Sequence, residues 1–194
     1  KKTKTISDKE IIKKIKLAKS KKNNRQENFA QNKKILSEII RSEKFNNFHG
    51  LSIDSRTVKK DNLFLTIKGK KYDGSKFVSK ALKKGAKYVV SSKTNKKYKD
   101  KIIRVNSVIK FLNEFASKKR NKSAAKILAV TGSAGKTSLK NLLKSLLENF
   151  GKTLSSPKSY NNHYGVPLSL SQINTNHEYG IFEVGMSKAG EINK

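Results

Sequence analysis

Apolar and polar positions alternate along this chain with two different periods, and the change of period outlines the elements. Ile11, Ile12, Ile15 and Leu17 follow Ser7-Asp8-Lys9-Glu10, an N-cap with acids in the first turn, and predict a short amphipathic helix. Lys19 to Lys34 has almost no apolar content and reads as a linker. From Ile35 the globular pattern starts. Ile35, Leu36, Ile39 and Ile40 predict a short helix, and Leu51 to Asp54 a strand. Asn62 to Lys68, carrying Leu63, Phe64, Leu65 and Ile67, predicts another strand, followed by a loop from Lys68 to Gly74. Lys76 to Lys84 is a helix with Phe77, Val78, Ala81 and Leu82 on one face, closed by Gly85. Lys87 to Ser91 and Lys101 to Val105 are strands. Ser107 to Lys119 is a helix that turns Val108, Phe111, Leu112, Phe115 and Ala116 inward.

A second run of elements begins at Ile127. The strand Ile127 to Thr131 feeds a glycine loop and then a helix. In that helix Leu139, Leu142, Leu143, Leu146, Leu147 and Phe150 make one apolar face, and Gly151 stands where a C′ glycine belongs. A strand near Lys152 to Ser156, a turn from Pro157 to Gly165, a helix after Val166-Pro167 and a strand from Tyr179 to Val184 complete the pattern. Strands alternating with helices predict an α/β fold with parallel sheets and crossovers.

The glycine loop brings in chemistry. Gly132-Ser-Ala-Gly-Lys-Thr137 lies between a strand and a helix. In that setting backbone N–H groups and the helix N-terminus face an anion, Lys136 reaches terminal phosphates, and the Thr137 hydroxyl is placed to ligate Mg²⁺. The strict phosphate-loop pattern asks for glycine where this chain has Val130. The competing reading is a tight strand-to-helix turn with an exposed lysine, and the well-patterned helix weighs against it. Gly132, Ser133, Ala134, Gly135, Lys136, Thr137 and Ser138 are therefore the candidate ATP-binding residues. Glu183 ends an apolar strand, a good position for a second Mg²⁺ ligand; the alternative is an ordinary strand-end acid. Asn161 and Asn162 are either substrate-binding amides or turn formers. Asp54, Ser55 and Arg56, at a strand end, suit a phosphate or sugar, or make a local salt bridge.

Composition changes the picture less than it first suggests. The 194 residues hold 45 Lys+Arg against 14 acids, a net charge of +31. Such a charge points first to nucleic acid or an anionic membrane. But arginine, the better bidentate reader, occurs only at positions 25, 41, 56, 104 and 120, and the lysines are spread over every segment. A proteome-wide drift to lysine explains this better than a dedicated binding face. There is no cysteine, hence no disulfide framework. No apolar run reaches ~18 residues and no secretory signal opens the chain, so a soluble cytoplasmic monomer is expected. The first residue is Lys and the last follows closely on a promising motif, so the chain reads as an excerpt of something longer.

Taken in order, the motifs resemble the Mur ligases, ATP-dependent bacterial enzymes that add amino acids to the peptidoglycan precursor. Ser52-Ile-Asp-Ser-Arg-Thr-Val58, Asn62-Leu-Phe64, Lys68-Gly69, Asp73-Gly74, Phe77 and Ala81 to Ala86 are similar to the family's uridine-nucleotide-binding N-terminal domain. Thr131 to Ser138 is similar to its phosphate loop, including the missing first glycine. Tyr160-Asn-Asn-His-Tyr-Gly-Val-Pro-Leu168 and Phe182 to Ile192 resemble the branch that adds D-alanyl-D-alanine, although Ser187-Lys188 stands where that branch often has Asn-His. Thr5 to Lys13 resembles the tail of a sister ligase, which suggests a fusion of two ligases with its junction near the start.

The resemblance implies a basic linker or preceding tail over 1–34, a UDP-precursor-binding domain over 35–120, and the first part of a parallel-sheet ATPase domain over 121–194. It implies an amide ligase acting on UDP-MurNAc-tripeptide and D-Ala-D-Ala through an acyl phosphate, with ATP and Mg²⁺. Lys136 and Glu183 would be catalytic, Thr137 and Glu183 would hold the metal, and Asp54, Ser55, Arg56, Asn161 and Asn162 would bind substrate. No specific nucleic acid and no membrane insertion are expected, and the fragment alone should not catalyse. Two alternatives stay open: another ligase of the superfamily, of the folylpolyglutamate synthase kind, and a non-enzymatic polyanion binder.

Overall fold

The computed structural model describes residues 8–41, 47–69, 73–157 and 160–186. Ser7, and the stretch of the Phe182 to Ile192 motif from position 187 onward, lie outside them.

The N-terminal segment departs most from the sequence reading. One helix, α1, runs without a break over Asp8–Ile40, 33 residues. Residues 19–34, expected as a linker, are helical, and the boundary expected between 34 and 35 falls inside the helix. Two physical reasons account for this. The segment contains neither Gly nor Pro, and Lys, Gln and Glu are good helix formers. Its C-terminal half is also docked, with Asn32, Ile35 and Leu36 buried. The apolar residues expected to make the short N-terminal helix amphipathic do not anchor it: Ile12, Ile15 and Leu17 are exposed.

The other elements follow the predicted order. A first parallel sheet is made of β1 (Leu51–Ser52), β2 (Leu63–Leu65), β3 (Tyr88–Ser91) and β4 (Ile102–Arg104), side by side in chain order. Alternation sets its two faces. Leu63, Leu65, Tyr88 and Val90 join a core with Ile35, Leu36, Phe48 and residues of helix α3 (Val108–Asn121). Phe64 and Val89 point the other way, onto Val78 and Ala81 of helix α2 (Val78–Lys83). Ser107 caps α3 by accepting from Lys110 N at 3.3 Å. Gly85, at φ 105°, ends the α2 turn in a conformation that L side chains rarely adopt.

The second sheet is also parallel, but its order is β5–β7–β6. Here β5 is Lys126–Val130, β6 is Thr153–Ser155 and β7 is Tyr179–Glu183. The last strand is inserted between the other two. Helix α4 (Lys136–Leu147) crosses from β5 to β6, and α5 (Gly165–Leu170) precedes β7. The α5 helix starts earlier than the pattern indicated, so Pro167 sits in its first turn, where a missing N–H has no helical partner to lose. Leu168 of α5 enters the core that holds Phe111, Leu112 and Phe115, which joins the two sheets.

The apolar face of α4 is covered only in part, with Leu143 and Leu147 half-buried. Leu139, Leu142, Leu146 and Phe150 are all exposed, and the buried side chain of the helix is Lys140. Gly151 is not a left-handed C′ residue. Its role is close approach: a Cβ there would lie 2.5 Å from the Glu178 carboxylate. Among the described residues no helix is long and apolar enough to cross a membrane.

Candidate functional site: a phosphate loop and a cavity beside it

The second sheet's strand order builds the first half of the site. Because β7 lies beside β5, Glu183 stands opposite Val130, the last strand residue before the loop. The chain then turns through Gly132 (φ 146°) and Gly135 (φ 76°), backbone conformations that suit glycine, and α4 starts at Lys136. A Cβ on Gly135 would meet nothing within 4 Å, so the loop's inner face is open. Lys136 Nζ lies over the Gly132 and Ser133 carbonyl oxygens at the loop mouth. A hollow of about 280 Å³ opens there, lined by Ser133, Gly135, Lys136, Thr137, Asn161 and Glu183.

Glu183 is 2% exposed, and its carboxylate is held from several sides. Thr137 Oγ1 donates to Oε2 at 2.8 Å, and Asn161 Nδ2 donates to Oε1 at 2.9 Å. Lys140 Nζ lies 3.5 Å from Oε2, with both side chains almost fully buried. Ser156 Oγ accepts from the Glu183 backbone N–H at 3.1 Å. Burial works to raise the Glu183 pKa. The hydrogen bonds from Thr137 and Asn161 and the charge of Lys140 outweigh it and hold the carboxyl below its usual range.

These residues fit a nucleoside polyphosphate with a divalent cation. Open backbone, a helix N-terminus and a lysine suit the phosphates. A hydroxyl beside an ionised carboxylate offers the hard oxygen donors that Mg²⁺ takes, with phosphate oxygens and water completing its shell. Among the described residues no cluster of three or more His, Cys, Asp or Glu offers a self-sufficient metal cage.

The second half is a cavity of about 760 Å³, within the size range of small-molecule sites. It is bounded by α1, the loops after β1, Pro157 and residues of the 160–174 stretch; Asn32, His49, Asp54, Arg56, Lys59 and Tyr160 are among its lining residues. Asp54 and Arg56 form a close pair, with Arg56 Nη2 2.7 Å from Asp54 Oδ2 and Arg56 Nε 3.0 Å from Oδ1. The guanidinium lowers the Asp54 pKa. Arg56 keeps 78% of its side chain exposed, so it remains reachable by a ligand. Ser55 is buried and is not among the lining residues.

The two asparagines expected to act together are separated in role. Asn161 belongs to the phosphate-loop hollow. Asn162 Oδ1 accepts from Gly165 N at 2.8 Å and Tyr164 N at 3.3 Å, at the start of α5. Sequence reasoning missed Lys140, which looked like a polar position beside an apolar stripe. It also missed the amides Asn28, Gln31 and Asn32 of α1. Their i, i+3, i+4 spacing puts them on one helical face, which was the available signal.

Comparison with known proteins agrees with this geometry. Residues 47–120 match the model of the Mur ligase family catalytic domain, and residues 130–194 match that of the Mur ligase middle domain. The chain is 41% identical over 140 residues to UDP-N-acetylmuramoyl-tripeptide--D-alanyl-D-alanine ligase of Buchnera aphidicola subsp. Acyrthosiphon pisum, covering 72% of this chain and 30% of that protein. It is 40% identical over 149 residues to the enzyme of the same name from Rickettsia prowazekii, covering 76% of this chain and 33% of the relative. A crystal structure of MurF from Acinetobacter baumannii superposes with a TM-score of 0.72 at 26% identity, over 82% of this chain and 37% of that one. MurF ligase from Thermotoga maritima in complex with ADP gives 0.63 at 31% identity, over 74% and 33%. The chain thus spans about a third of the length of the curated relatives it matches. With both family segments present in order, each on its own parallel sheet, the chain belongs to the Mur ligase family.

Proposed function

We propose that this chain is the UDP-precursor-binding and phosphate-loop portion of an ATP-dependent ligase that joins D-alanyl-D-alanine to UDP-MurNAc-tripeptide. The observation that carries the reading is the Thr137–Glu183 pair at the mouth of a glycine loop, with Asn161 on the second carboxylate oxygen. The names of the relatives supply the substrates.

In this reading the terminal carboxylate of the tripeptide attacks the γ-phosphorus of ATP. An acyl phosphate forms as the bond to the ADP oxygen breaks. The amine of D-Ala-D-Ala then attacks the acyl carbon, loses its proton and displaces phosphate. Such a reaction needs positioning and charge neutralisation more than covalent help from the protein. Lys136 and the backbone N–H groups of Gly132 to Ser138 hold the phosphates. Thr137 and Glu183 would hold Mg²⁺, which supplies charge neutralisation at the phosphate oxygens. Asp54 and Arg56 position the UDP portion, Arg56 as the reachable cation, while Ser55, expected to join them, is buried outside the cavity lining. Asn161 orients Glu183, and Asn162 shapes the turn that carries Asn161. The dipeptide site is assigned to the part of the relatives that this chain does not span. The proposed domains are 35–120 for the UDP precursor and 121–194 for the start of the ATPase domain, with α1 running unbroken across the first limit.

The test is phosphate release by the full-length protein with ATP, Mg²⁺, UDP-MurNAc-tripeptide and D-Ala-D-Ala. Release that requires all four, with the pentapeptide product seen by mass spectrometry, is the expected result. Equal release with folate and glutamate, or none with the muropeptide, would move the protein to another ligase of the superfamily.

A further inference from the structure

Lys140 is a buried charge at the phosphate-loop hollow to which the reaction scheme gives no part. It follows Lys136 by one turn of α4 and Thr137 by three residues. Thr137 and Lys140 therefore share a helical face, and both reach Glu183 Oε2, at 2.8 and 3.5 Å. The Lys140 side chain is 2% exposed and that of Glu183 3%. Lys136, Thr137, Asn161 and Glu183 line the hollow, whereas Lys140 is not among the lining residues. Its ammonium meets the carboxylate from inside the protein and is not placed to hold a phosphate.

Stability alone does not account for such a residue. Burying an ion pair costs the desolvation of both charges, and well-packed apolar residues of the same volume often do as well or better. The charge balance of the hollow gives a better account. Among its lining residues Glu183 is the acid and Lys136 the cation, and Lys140 sets a second cation against the same carboxylate. The site by itself is therefore net positive. Mg²⁺ is usually bound by one or two carboxylates together with substrate phosphates. A divalent cation that met this site without phosphates would be repelled by both ammonium groups, and the Lys140 charge, being buried, is little screened by salt. The negative charge of a polyphosphate reverses the sign.

We infer that Lys140 is a positioning residue that ties the metal to the nucleotide: its ammonium balances Glu183 from behind, so the Thr137–Glu183 site takes a divalent cation together with phosphates and not alone. This rests on the reading of Thr137 and Glu183 as the metal-holding residues. In the empty enzyme the carboxylate is kept in place without a resident metal, by Thr137 and Lys140 on one oxygen and Asn161 on the other. A lysine that served only to brace the carboxylate would have the opposite signature. Its loss would loosen Glu183 and weaken metal binding, whereas loss of a balancing charge strengthens it.

The experiment is titration of the full-length protein with Mn²⁺, with and without ADP, the unbound ion being followed by its electron paramagnetic resonance signal. The variants are Lys140→Gln, which keeps a donor for the carboxylate but not the charge, and Lys140→Arg, which keeps the charge. ADP binding in the absence of metal reports an intact fold. Wild-type protein and Lys140→Arg should take up Mn²⁺ at least about tenfold more weakly without ADP than with it, and Lys140→Gln should gain at least about tenfold in Mn²⁺ affinity without ADP. Wild-type protein that binds Mn²⁺ equally well without ADP overturns the role of Lys140 alone. So does a Lys140→Gln protein that still binds ADP but has unchanged or weaker affinity for Mn²⁺, or an equal gain in Lys140→Arg. Mn²⁺ uptake by the ADP complex that Glu183→Gln leaves undiminished overturns the metal assignment, and the inference with it.

Discussion

Val130 and Glu183 stand opposite each other in the parallel ladder of β5 and β7. This register brings the carboxylate to the base of the phosphate loop, where Thr137 meets it at 2.8 Å. A shift of one residue would turn Glu183 to the other face of the sheet and leave Thr137 without its partner. The site is thus set by strand order and register as much as by the loop motif.

The residues at the loop mouth should divide by role. Lys136→Ala in the full-length enzyme should abolish turnover, and more than a few per cent of residual activity would refute its assignment. Thr137→Val and Glu183→Gln should weaken Mg²⁺-dependent nucleotide binding, each by about tenfold or more, while affinity for nucleotide without the metal changes less. Titration with and without Mg²⁺ makes the comparison. Equal losses under both conditions would show that the pair acts on the fold and not on the metal.

Lys140 offers a test by stability. Its ammonium and the Glu183 carboxylate are almost fully buried together. Removing one partner of a buried pair leaves an uncompensated charge and costs about 3–5 kcal/mol. Lys140→Met should therefore destabilise strongly in urea unfolding. Adding Glu183→Gln should recover much of the loss, because the leftover charge is then gone. A double variant as unstable as the sum of the singles would show that Lys140 and Glu183 do not act as a pair.

The parts of the fold legible in the sequence were those governed by local pattern: the strands, the loop, α2, α3 and α4. What escaped depended on contacts distant along the chain. Residues 19–34 carry a linker's composition, yet Asn28 and Gln31 hold Lys119, 91 and 88 positions away, and Asn32 holds the Phe48–His49 carbonyls. No local window shows such pairings. The apolar stripe of α4 was legible, but its burial was not: the three-stranded sheet β5–β7–β6 leaves Leu142 and Phe150 in solvent. Glu183 was found from its place at the end of an apolar strand. Lys140 was not, because a lysine on a helix gives no sign that its charge is buried.

Stability should respond to pH at one junction in two windows. Lys119, 1% exposed, gives its ammonium protons to Asn28 Oδ1, Gln31 Oε1 and Asn174 Oδ1 at 2.8, 2.7 and 2.9 Å. Asn174 N in turn donates to His177 Nδ1 at 2.9 Å. Burial lowers the Lys119 pKa to about 8, and burial with the charges of Lys152 and Lys119 lowers that of His177 to about 4. For each, the unfolded chain binds the proton more tightly than the native one, so stability rises with pH between the folded and unfolded pKa values. For His177 the gain is complete above about 6.5 and lost as pH falls toward about 4. For Lys119 stability increases between about 8 and about 10.5. Each step contributes a slope of up to about 1.4 kcal/mol per pH unit. His177→Gln should flatten the acid limb of a urea-midpoint profile, and Lys119→Met the alkaline one. A profile unchanged by either substitution would remove the group from the account.

Gly165 tests whether the two halves of the site are mechanically joined. The 160–165 turn places Tyr160 in the wall of the larger cavity and Asn161 in the phosphate-loop hollow. A Cβ on Gly165 would lie 2.8 Å from the backbone carbon of Tyr160 and 2.9 Å from its Cα, contacts that backbone can relieve only by moving. Gly165→Ala should therefore cost about 1–3 kcal/mol of stability through overpacking. The displaced segment carries Asn161, whose amide holds Glu183 Oε1 at 2.9 Å, so the same substitution should weaken UDP and Mg²⁺–nucleotide binding together. Asn161→Ala supplies the contrast. It removes the amide without moving the turn and should weaken only Mg²⁺–nucleotide binding. If Gly165→Ala weakened one ligand alone, the turn would not be the joint between the two cavities.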